Sequence, residues 1–296
     1  MSLMTRAIWT LDRHVVSRSF SLPHRAGRAL IEVLALLDLP PRGVKISRGT
    51  AGGIDCWQVA PVGTDDSPQI FFVHGGAYCI NSPRVYTTFA GHLALATGAT
   101  VILPRYRLAP EHPYPAGLED VLAAYRAVRA NTEKLIMAGD SAGAGMSLCT
   151  AIALREGGEE GPAGLFLMSP WVDLTASGES ILANDGKDAI LRANALPKHA
   201  KAYAGGLDLA DPRISPLYAD LADLPPTLIQ CGAEELFFSE STVLASRTEV
   251  AGTPVELQVY PGMWHDFQLH AGPLPDAATA VQRMADWAMP LIAQSV

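Results

Sequence analysis

The segment from residue 135 to residue 154 constrains the fold more than any other part of the chain. Residues 135–138 are apolar and predict a short buried strand, and residues 146–154 predict a helix. Between them, residues 139–143 read Gly-Asp-Ser-Ala-Gly and fit G-x-S-x-G in the strand–turn–helix context that this pattern requires. Glycines on both sides of Ser141 let the strand and the helix pass close together. The segment therefore predicts a serine on a tight turn, beside the N-terminal amides of a helix.

Composition and charge exclude several classes of protein. The chain has 296 residues, 49% hydrophobic and 18% charged, which is typical of a globular protein with a sizeable core. The formal charge of −8 argues against nucleic acid or an anionic membrane as the main partner. Residues 1–20 carry charges at helical spacing, which predicts an amphipathic helix rather than a signal peptide. No segment approaches the roughly 18 apolar residues that span a bilayer.

Cysteine and histidine spacing gives no sign of a metal or a disulfide. The four cysteines are scattered and lack paired spacing: Cys56, Cys79, Cys149 and Cys231. Buried free thiols in a reducing cytoplasm are the expected state. No H-E-x-x-H sequence and no nucleotide-binding fingerprint occur, so we expect neither a metal nor a cofactor.

Strands and helices alternate along most of the chain. Residues 43–60 predict an edge hairpin that turns at Gly52-Gly53. Further strands are predicted at 69–73, 99–103, 135–138, 164–168, 227–231 and 255–260, and helices at 85–97, 117–130, 146–154, 238–251 and 275–293. This alternation predicts an α/β fold with a mostly parallel, doubly wound sheet. The alternating pattern of 255–260 indicates an exposed edge, which leaves a homodimer open.

Two segments do not fit the alternation. Residues 1–45 contain two predicted helices, at about 4–20 and 25–37, and residues 175–215 are more polar, with a helix at about 191–203. We expect the second segment to pack on the first as a helical cap. The predicted organisation is therefore 1–45 as N-terminal cap helices, 46–174 and 216–296 as the two parts of the core, and 175–215 as a cap insertion.

A serine nucleophile needs a base, and the base needs an orienting acid. Both groups should follow strands at the carboxyl edge of the sheet. His265 lies just past the last strand, after a Pro-Gly turn. Glu234 and Glu235 follow the preceding strand, and only one of them can point into the site. We favour Glu235 and keep Glu234 as the alternative, with helix capping as the other role for a glutamate here.

A tetrahedral oxyanion needs hydrogen-bond donors. Gly75 and Gly76 follow the first long buried strand, and their amides, with that of Ala142, are the expected donors. We expect His74 to be structural. Five residues beside the site in sequence suggest an apolar pocket, although packing explains them equally well: Tyr78, Asn81, Trp171, Met263 and Trp264.

Several motifs resemble the bacterial hormone-sensitive-lipase-like esterases of the α/β-hydrolase superfamily. The similarity spans about residues 69–270 and includes HGGAY at 74–78, YRLAPEHPYPAGLED at 106–120, GDSAG at 139–143, SPW at 169–171, SPLYADL at 215–221, LPPTLIQCGAEEL at 224–236 and PGMWHDFQ at 261–268. Within that family the chain looks most like short-chain carboxylesterases and monoterpene lactone hydrolases.

The resemblance implies an α/β-hydrolase fold with a cap, Ser141 as nucleophile, Glu235 as acid and His265 as base. It also implies Gly75, Gly76 and Ala142 as oxyanion donors. Two positions depart from the family pattern: many members have aspartate at the place of Glu235, and the third glycine of HGGG is Ala77 here. Arg107 and Glu111 are expected to brace the loop behind the oxyanion hole, with a surface ion pair as the alternative.

The function predicted from these residues is hydrolysis of short-to-medium acyl esters, or of lactones, through an acyl-enzyme. The expected partner is a small-molecule ester. Two alternatives stay open: a hydrolase fold that serves as a small-molecule receptor, and an amidase or peptidase that uses the same three residues.

Overall fold

The computed structural model describes residues 2–64, 68–132 and 134–292, and an eight-stranded sheet runs through them. The strands are β1 (Val44–Ala51), β2 (Ile54–Pro61), β3 (Gln69–Val73), β4 (Thr100–Pro104), β5 (Leu135–Asp140), β6 (Gly164–Met168), β7 (Thr227–Gly232) and β8 (Val255–Tyr260). Residues of β5, β6 and β7 are buried throughout, as expected for strands covered by helices on both faces.

The sheet order is β1-β2-β4-β3-β5-β6-β7-β8. The first two pairs, β1 with β2 and β2 with β4, are antiparallel, and every later pair is parallel. The predicted mostly parallel α/β-hydrolase sheet is therefore confirmed, including the hairpin that turns at Gly52-Gly53. Because parallel strands end at the same edge, the loops after β3, β5, β7 and β8 meet there.

The helices lie before, between and after the strands. They are α1 (Leu3–Leu11), α2 (Ser17–Ser21), α3 (His24–Leu34), α4 (Thr87–Thr97), α5 (Ala116–Arg129), α6 (Ser141–Glu156), α7 (Ser180–Ala183), α8 (Leu196–Ala204), α9 (Phe238–Val250) and α10 (Pro275–Ile292). A 3-10 turn, Pro83–Tyr86, leads into α4. The last residue of the helix predicted at 275–293 lies outside the described residues. No helix in the described ranges combines the length and the hydropathy that a bilayer-spanning segment needs.

The N-terminal helix is interrupted where the sequence predicts one continuous helix. A π-helical turn, Asp12–Val16, separates α1 from α2. It carries the buried side chain of Asp12, whose Oδ2 accepts hydrogen bonds at 2.8 Å from Trp264 Nε1 and from His270 Nε2. The π-helical turn therefore contains the residue, Asp12, that makes a polar contact with the loop after β8.

The segment 175–215 contacts the N-terminal helices. The indole of Trp9 donates to the Lys187 carbonyl at 3.1 Å, and Arg13 donates to the Asp188 carbonyl at 3.0 Å. His199 of α8 lies 2.9 Å from the Phe20 carbonyl through Nε2. These contacts join the two segments that break the strand–helix alternation, and the division into cap and core stays a prediction.

Candidate active site

Ser141 begins α6 directly after β5. Its φ is +51°, a left-handed value that is strained for a residue with a side chain. Gly143 allows α6 to pass close to β3, because a Cβ at this position would lie 2.1 Å from the Val73 carbonyl oxygen. Ser141 is nearly buried, and its hydroxyl makes no hydrogen bond within the described part of the chain. The first amides of α6, that of Ala142 among them, have no intrahelical acceptor.

The loop after β3 is strained and well supported from behind. Ala77, Tyr78 and Asn81 all have positive φ values, between 52° and 72°. The ring of His74 stacks on Tyr106 at 4.4 Å between centroids, and the Tyr106 hydroxyl donates to the His74 carbonyl at 2.6 Å. Burial lowers the pKa of His74 to about 4, so its imidazole is neutral. These contacts support the structural role expected for His74.

The amide of Gly75 is not free to bind an oxyanion in this structure. It donates to Asp140 Oδ1 at 2.7 Å and lies 3.1 Å from the Tyr86 hydroxyl, which itself donates to Asp140 Oδ2 at 2.7 Å. The geometry therefore does not support Gly75 as a donor. By contrast, the amides of Gly76 and Ala77 donate to no acceptor among the described residues. The role of the Asp140 side chain was not predicted, because in the sequence this position is only a spacer in the serine turn.

Glu235 is fully buried after β7. Its Oε2 accepts hydrogen bonds from Ser169 Oγ at 2.7 Å and from the Gly232 amide at 2.9 Å, while Oε1 has no partner among the described residues. Burial raises the pKa of Glu235 to about 8, against the opposing effect of nearby His265. Glu234 is only half-buried, and its side chain has no partner in the described ranges. This difference supports Glu235 over Glu234 as the carboxylate beside the histidine.

His265 is buried in the loop after β8. Its Nε2 lies 3.0 Å from Asp266 Oδ2, and its Nδ1 is buried without a partner in the described part of the chain. No hydrogen bond joins His265 to Ser141 or to Glu235 among the described residues. The structure thus places the three groups on neighbouring loops of one sheet edge without closing the hydrogen bonds between them. Such bonds are often long before substrate binds.

The carboxyl groups of Asp140 and Asp266 interact with each other: Asp140 accepts the Gly75 amide, and Asp266 contacts His265. Burial raises the pKa of Asp140 well above its usual range, and Asp266 raises it further. Burial likewise raises the pKa of Asp266 well above its usual range. These shifts favour a protonated carboxyl group between the glycine loop and His265.

The five residues expected to line a substrate pocket fall into two groups. Tyr78 and Trp171 belong to a row of rings that ends at the histidine: Tyr203, Tyr78, Trp171, Phe237 and His265. Phe237 meets His265 edge-on at 5.2 Å. Tyr203 and Phe237 were not predicted as part of the site, because they belong to no recognisable motif.

The other three residues make different contacts. Trp264 donates to Asp12, and Asn81 donates to the Tyr86 hydroxyl at 3.2 Å. Met263 is buried, and its carbonyl accepts the Glu234 amide at 3.0 Å. These contacts indicate packing and anchoring for Trp264 and Asn81.

Comparison with known proteins places this site in a family. Residues 70–269 match a family with the α/β-hydrolase fold. An esterase of Acinetobacter venetianus is 38% identical over 226 residues, which are 75% of each chain. An acetyl-hydrolase of Streptomyces hygroscopicus is 34% identical over 254 residues, 85% of this chain and 83% of that one. The crystal structure of an esterase from the bacterial hormone-sensitive lipase family superposes with a TM-score of 0.93, at 31% identity, over 99% of both chains.

The chain belongs to the bacterial hormone-sensitive-lipase-like esterases of the α/β-hydrolase superfamily. It is accordingly a carboxylic ester hydrolase.

The arginine that braces the glycine loop of this esterase is Arg28, which no sequence motif marks. Arg28 of α3 donates to the carbonyls of Cys79 and Ala109, each at 2.7 Å, and pairs with Glu111 at 2.7 Å. Arg107 binds Asp120 instead, through Nη2 at 2.8 Å. Arg107 and Glu111 therefore do not pair with each other: Glu111 pairs with Arg25 and Arg28, and Arg107 pairs with Glu119 and Asp120.

Within the described ranges, one group of potential metal ligands lies outside the site of the esterase. The ligand atoms of His24, Cys79 and His199 lie within 4.8 Å of one another. Burial lowers the pKa of His24, and the positive charges of Lys198 and Arg28 lower it further. The same positive charges disfavour a bound cation, so we assign no metal here.

Proposed function

We propose that this esterase hydrolyses short-to-medium acyl esters by two-step acyl transfer through Ser141, His265 and Glu235. The observation that carries the proposal is the position of Ser141: a nearly buried residue with positive φ at the start of α6, on the sheet edge that also holds a buried histidine and a buried carboxyl group. The acetyl-hydrolase named among the relatives supports a small acyl group. Lactones, which are cyclic esters, fall within the same chemistry.

His265 takes the proton of Ser141, and the serine oxygen attacks the ester carbonyl. The oxyanion is held by the amides of Gly76, Ala77 and Ala142, of which the first two have no acceptor among the described residues. We place Gly75 behind them, where Asp140 holds it. The alcohol leaves with the proton from His265, and water then repeats the attack on the acyl-enzyme. Glu235 orients the imidazole and stabilises its charged form.

The proposal requires that Ser141 carry the acyl group. We expect Ser141→Ala to lower kcat for p-nitrophenyl acetate and butyrate by on the order of 10⁴ or more. A serine-directed phosphonate should label Ser141, as read by peptide mass spectrometry. Ser147, a buried serine of the same helix that donates to the Ala138 carbonyl, gives the matched control as Ser147→Ala. Label on another residue, or undiminished turnover by Ser141→Ala, would refute the assignment.

A substrate panel then separates the finer alternatives. Acyl chains of increasing length, a lactone and a matched anilide, compared by kcat/KM, distinguish an esterase for short chains from a lactonase or an amidase. We expect the acetyl and butyryl esters to be the best substrates. The cytoplasm remains the expected location, because all four cysteines are free and buried.

A further inference from the structure

A large cavity lies behind the glycine loop, away from the proposed catalytic residues. Its volume is about 880 Å³, within the range of small-molecule sites, and Ser141, Glu235 and His265 do not line it. Its walls come from α3, from the adjoining ends of β1, β2 and β4, and from the loop that carries His74 and Asn81. Six of the chain's 22 lysine and arginine residues line this cavity: Arg25, Arg28, Arg48, Arg84, Arg105 and Arg107.

Four of these arginines have acidic partners. Glu111 pairs with Arg25 and Arg28, Glu32 with Arg84, and Asp120 with Arg107. The remaining two, Arg48 and Arg105, form no ion pair with any described residue. The six arginines outnumber the three carboxylates that line the same cavity, Glu32, Asp55 and Glu111, so a protein with a formal charge of −8 has an excess of positive charge in one concave surface, where field lines are focused.

The backbone holds the two unpaired arginines at the same end of the sheet. Arg48 of β1 is the cross-strand partner of Trp57 in β2. The amide of Arg105 donates to the Asp55 carbonyl at 2.8 Å, which places Arg105 beside β2 two residues from Trp57. Because residues two apart in a strand share a face, both arginines lie on one side of the sheet. The guanidinium of Arg48 lies 4.3 Å from the centroid of the Trp57 ring, which positions it without neutralising its charge.

We propose that this cavity binds a small anion that carries two or more linked phosphoryl groups. Guanidinium groups match phosphoryl oxygens in a bidentate geometry, and two unpaired ones can each hold a separate group. The ring of Trp57 is contacted by Arg84, at 5.9 Å, as well as by Arg48. Because two guanidinium groups already contact the Trp57 ring, we expect recognition to depend on the phosphoryl groups and not on stacking of a nucleobase on this ring.

Isothermal titration calorimetry on the full chain tests the proposal without an activity assay, so its outcome is independent of the proposed esterase mechanism. The titrants are sodium tripolyphosphate, ATP, adenosine, citrate and sulfate, all at matched ionic strength. We expect tripolyphosphate and ATP to bind with similar affinity, and adenosine, citrate and sulfate to bind at least about tenfold more weakly. Equal binding of citrate or sulfate would overturn the phosphoryl class. Binding of ATP but not of tripolyphosphate would overturn recognition through phosphoryl groups alone.

The matched variants place the site. Arg48→Gln with Arg105→Gln removes the two unpaired charges, both at exposed positions, and we expect tripolyphosphate to bind at least about tenfold more weakly. The control is Arg42→Gln with Arg283→Gln. Arg42 is exposed and has no ion pair among the described residues, Arg283 lies 5.8 Å from the Tyr260 ring, and neither lines the cavity. An unchanged affinity in the first double variant, or an equal loss in the control, would show that the cavity is not the site.

Discussion

Ser169 connects the carboxyl group of Glu235 to the backbone of Asp266, the residue that follows His265. Its hydroxyl donates to Glu235 and accepts the Asp266 amide at 3.1 Å, and its own φ is +44°. The hydrogen bond lowers the pKa of Glu235 against the effect of burial. We expect Ser169→Ala to reduce kcat by about 10- to 100-fold, since one hydrogen bond to a charged group is worth about 1.5–3 kcal/mol. The variant should also move the acid limb of the pH profile to higher pH.

The control for Ser169 is Ser241→Ala, which removes a buried hydroxyl that donates to its own helix at the Phe237 carbonyl. It should leave the pH profile unchanged. A Ser169→Ala enzyme with reduced kcat and the parental pH profile would mean that this hydroxyl only supports packing.

The pH dependence of the esterase should follow the ionisation of Glu235. A carboxyl group with a pKa of about 8 is neutral below that pH and charged above it. Only the charged form stabilises the imidazolium of His265 during acyl transfer. We therefore expect kcat/KM to rise between about pH 6 and about pH 9, and Glu235→Gln to lower it most at the alkaline end. A Glu234→Gln enzyme is the control and should keep the parental profile.

The loops of the candidate site could be predicted from the sequence, but the contacts of individual polar atoms within them could not. Ser141 and His265 could be located because each follows a predicted strand, β5 or β8, at the carboxyl edge of the sheet. The contact of the Gly75 amide could not be predicted, because its acceptor is the side chain of Asp140, 65 residues away in sequence. The direction of an amide depends on such distant contacts, which no local pattern encodes.

At the scale of elements, the π turn at Asp12–Val16 fastens the N-terminal helices to the loop after β8. Burial pulls the pKa of His270 down, but Asp12 raises it and prevails. A histidine with a raised pKa contributes stability that is fully present below its unfolded pKa and is lost as the pH rises through its folded pKa. We expect Asp12→Asn to lower the free energy of unfolding by about 1–3 kcal/mol near pH 6 and by clearly less near pH 9.

Urea unfolding at both pH values measures this difference, with Glu249→Gln as the control, at an exposed position without an ion pair among the described residues. The amide oxygen that Asp12→Asn introduces still offers Trp264 an acceptor, so the variant tests mainly the pair with His270. An equal loss of stability at both pH values would contradict the ion-pair account.

The strand–helix alternation predicted the sheet because a parallel strand covered on both faces must be apolar throughout, as residues 135–138 are. The interruption of the first helix could not be predicted in the same way. Residues 4–20 have helical periodicity on both sides of Asp12, and the departure from it depends on Trp264 and His270, far along the chain. The role of Arg28 could not be predicted for the same reason, because only the fold brings its acceptors, the carbonyls of Cys79 and Ala109, close to it.

At the scale of the whole molecule, the two edges of the sheet differ. Strand β1 is mostly exposed and carries Lys45 and Arg48, and charged side chains discourage pairing with another sheet. Strand β8 forms the opposite edge, where Val259 is 39% exposed and Val243 of the adjacent α9 is 45% exposed. The predicted homodimer would therefore form through β8, not through β1.

We expect the esterase to be a dimer by sedimentation velocity, and Val259→Lys to shift it to the monomer, because the substitution places a charge on the pairing edge. Val62→Lys is the control: Val62 is 69% exposed and follows β2 near the other edge. The monomeric variant should keep its kcat/KM, since Val259 is remote in sequence and register from the serine turn. A dimer that survives Val259→Lys would place the interface elsewhere, and a parent chain that stays monomeric at high concentration would rule out pairing through this edge.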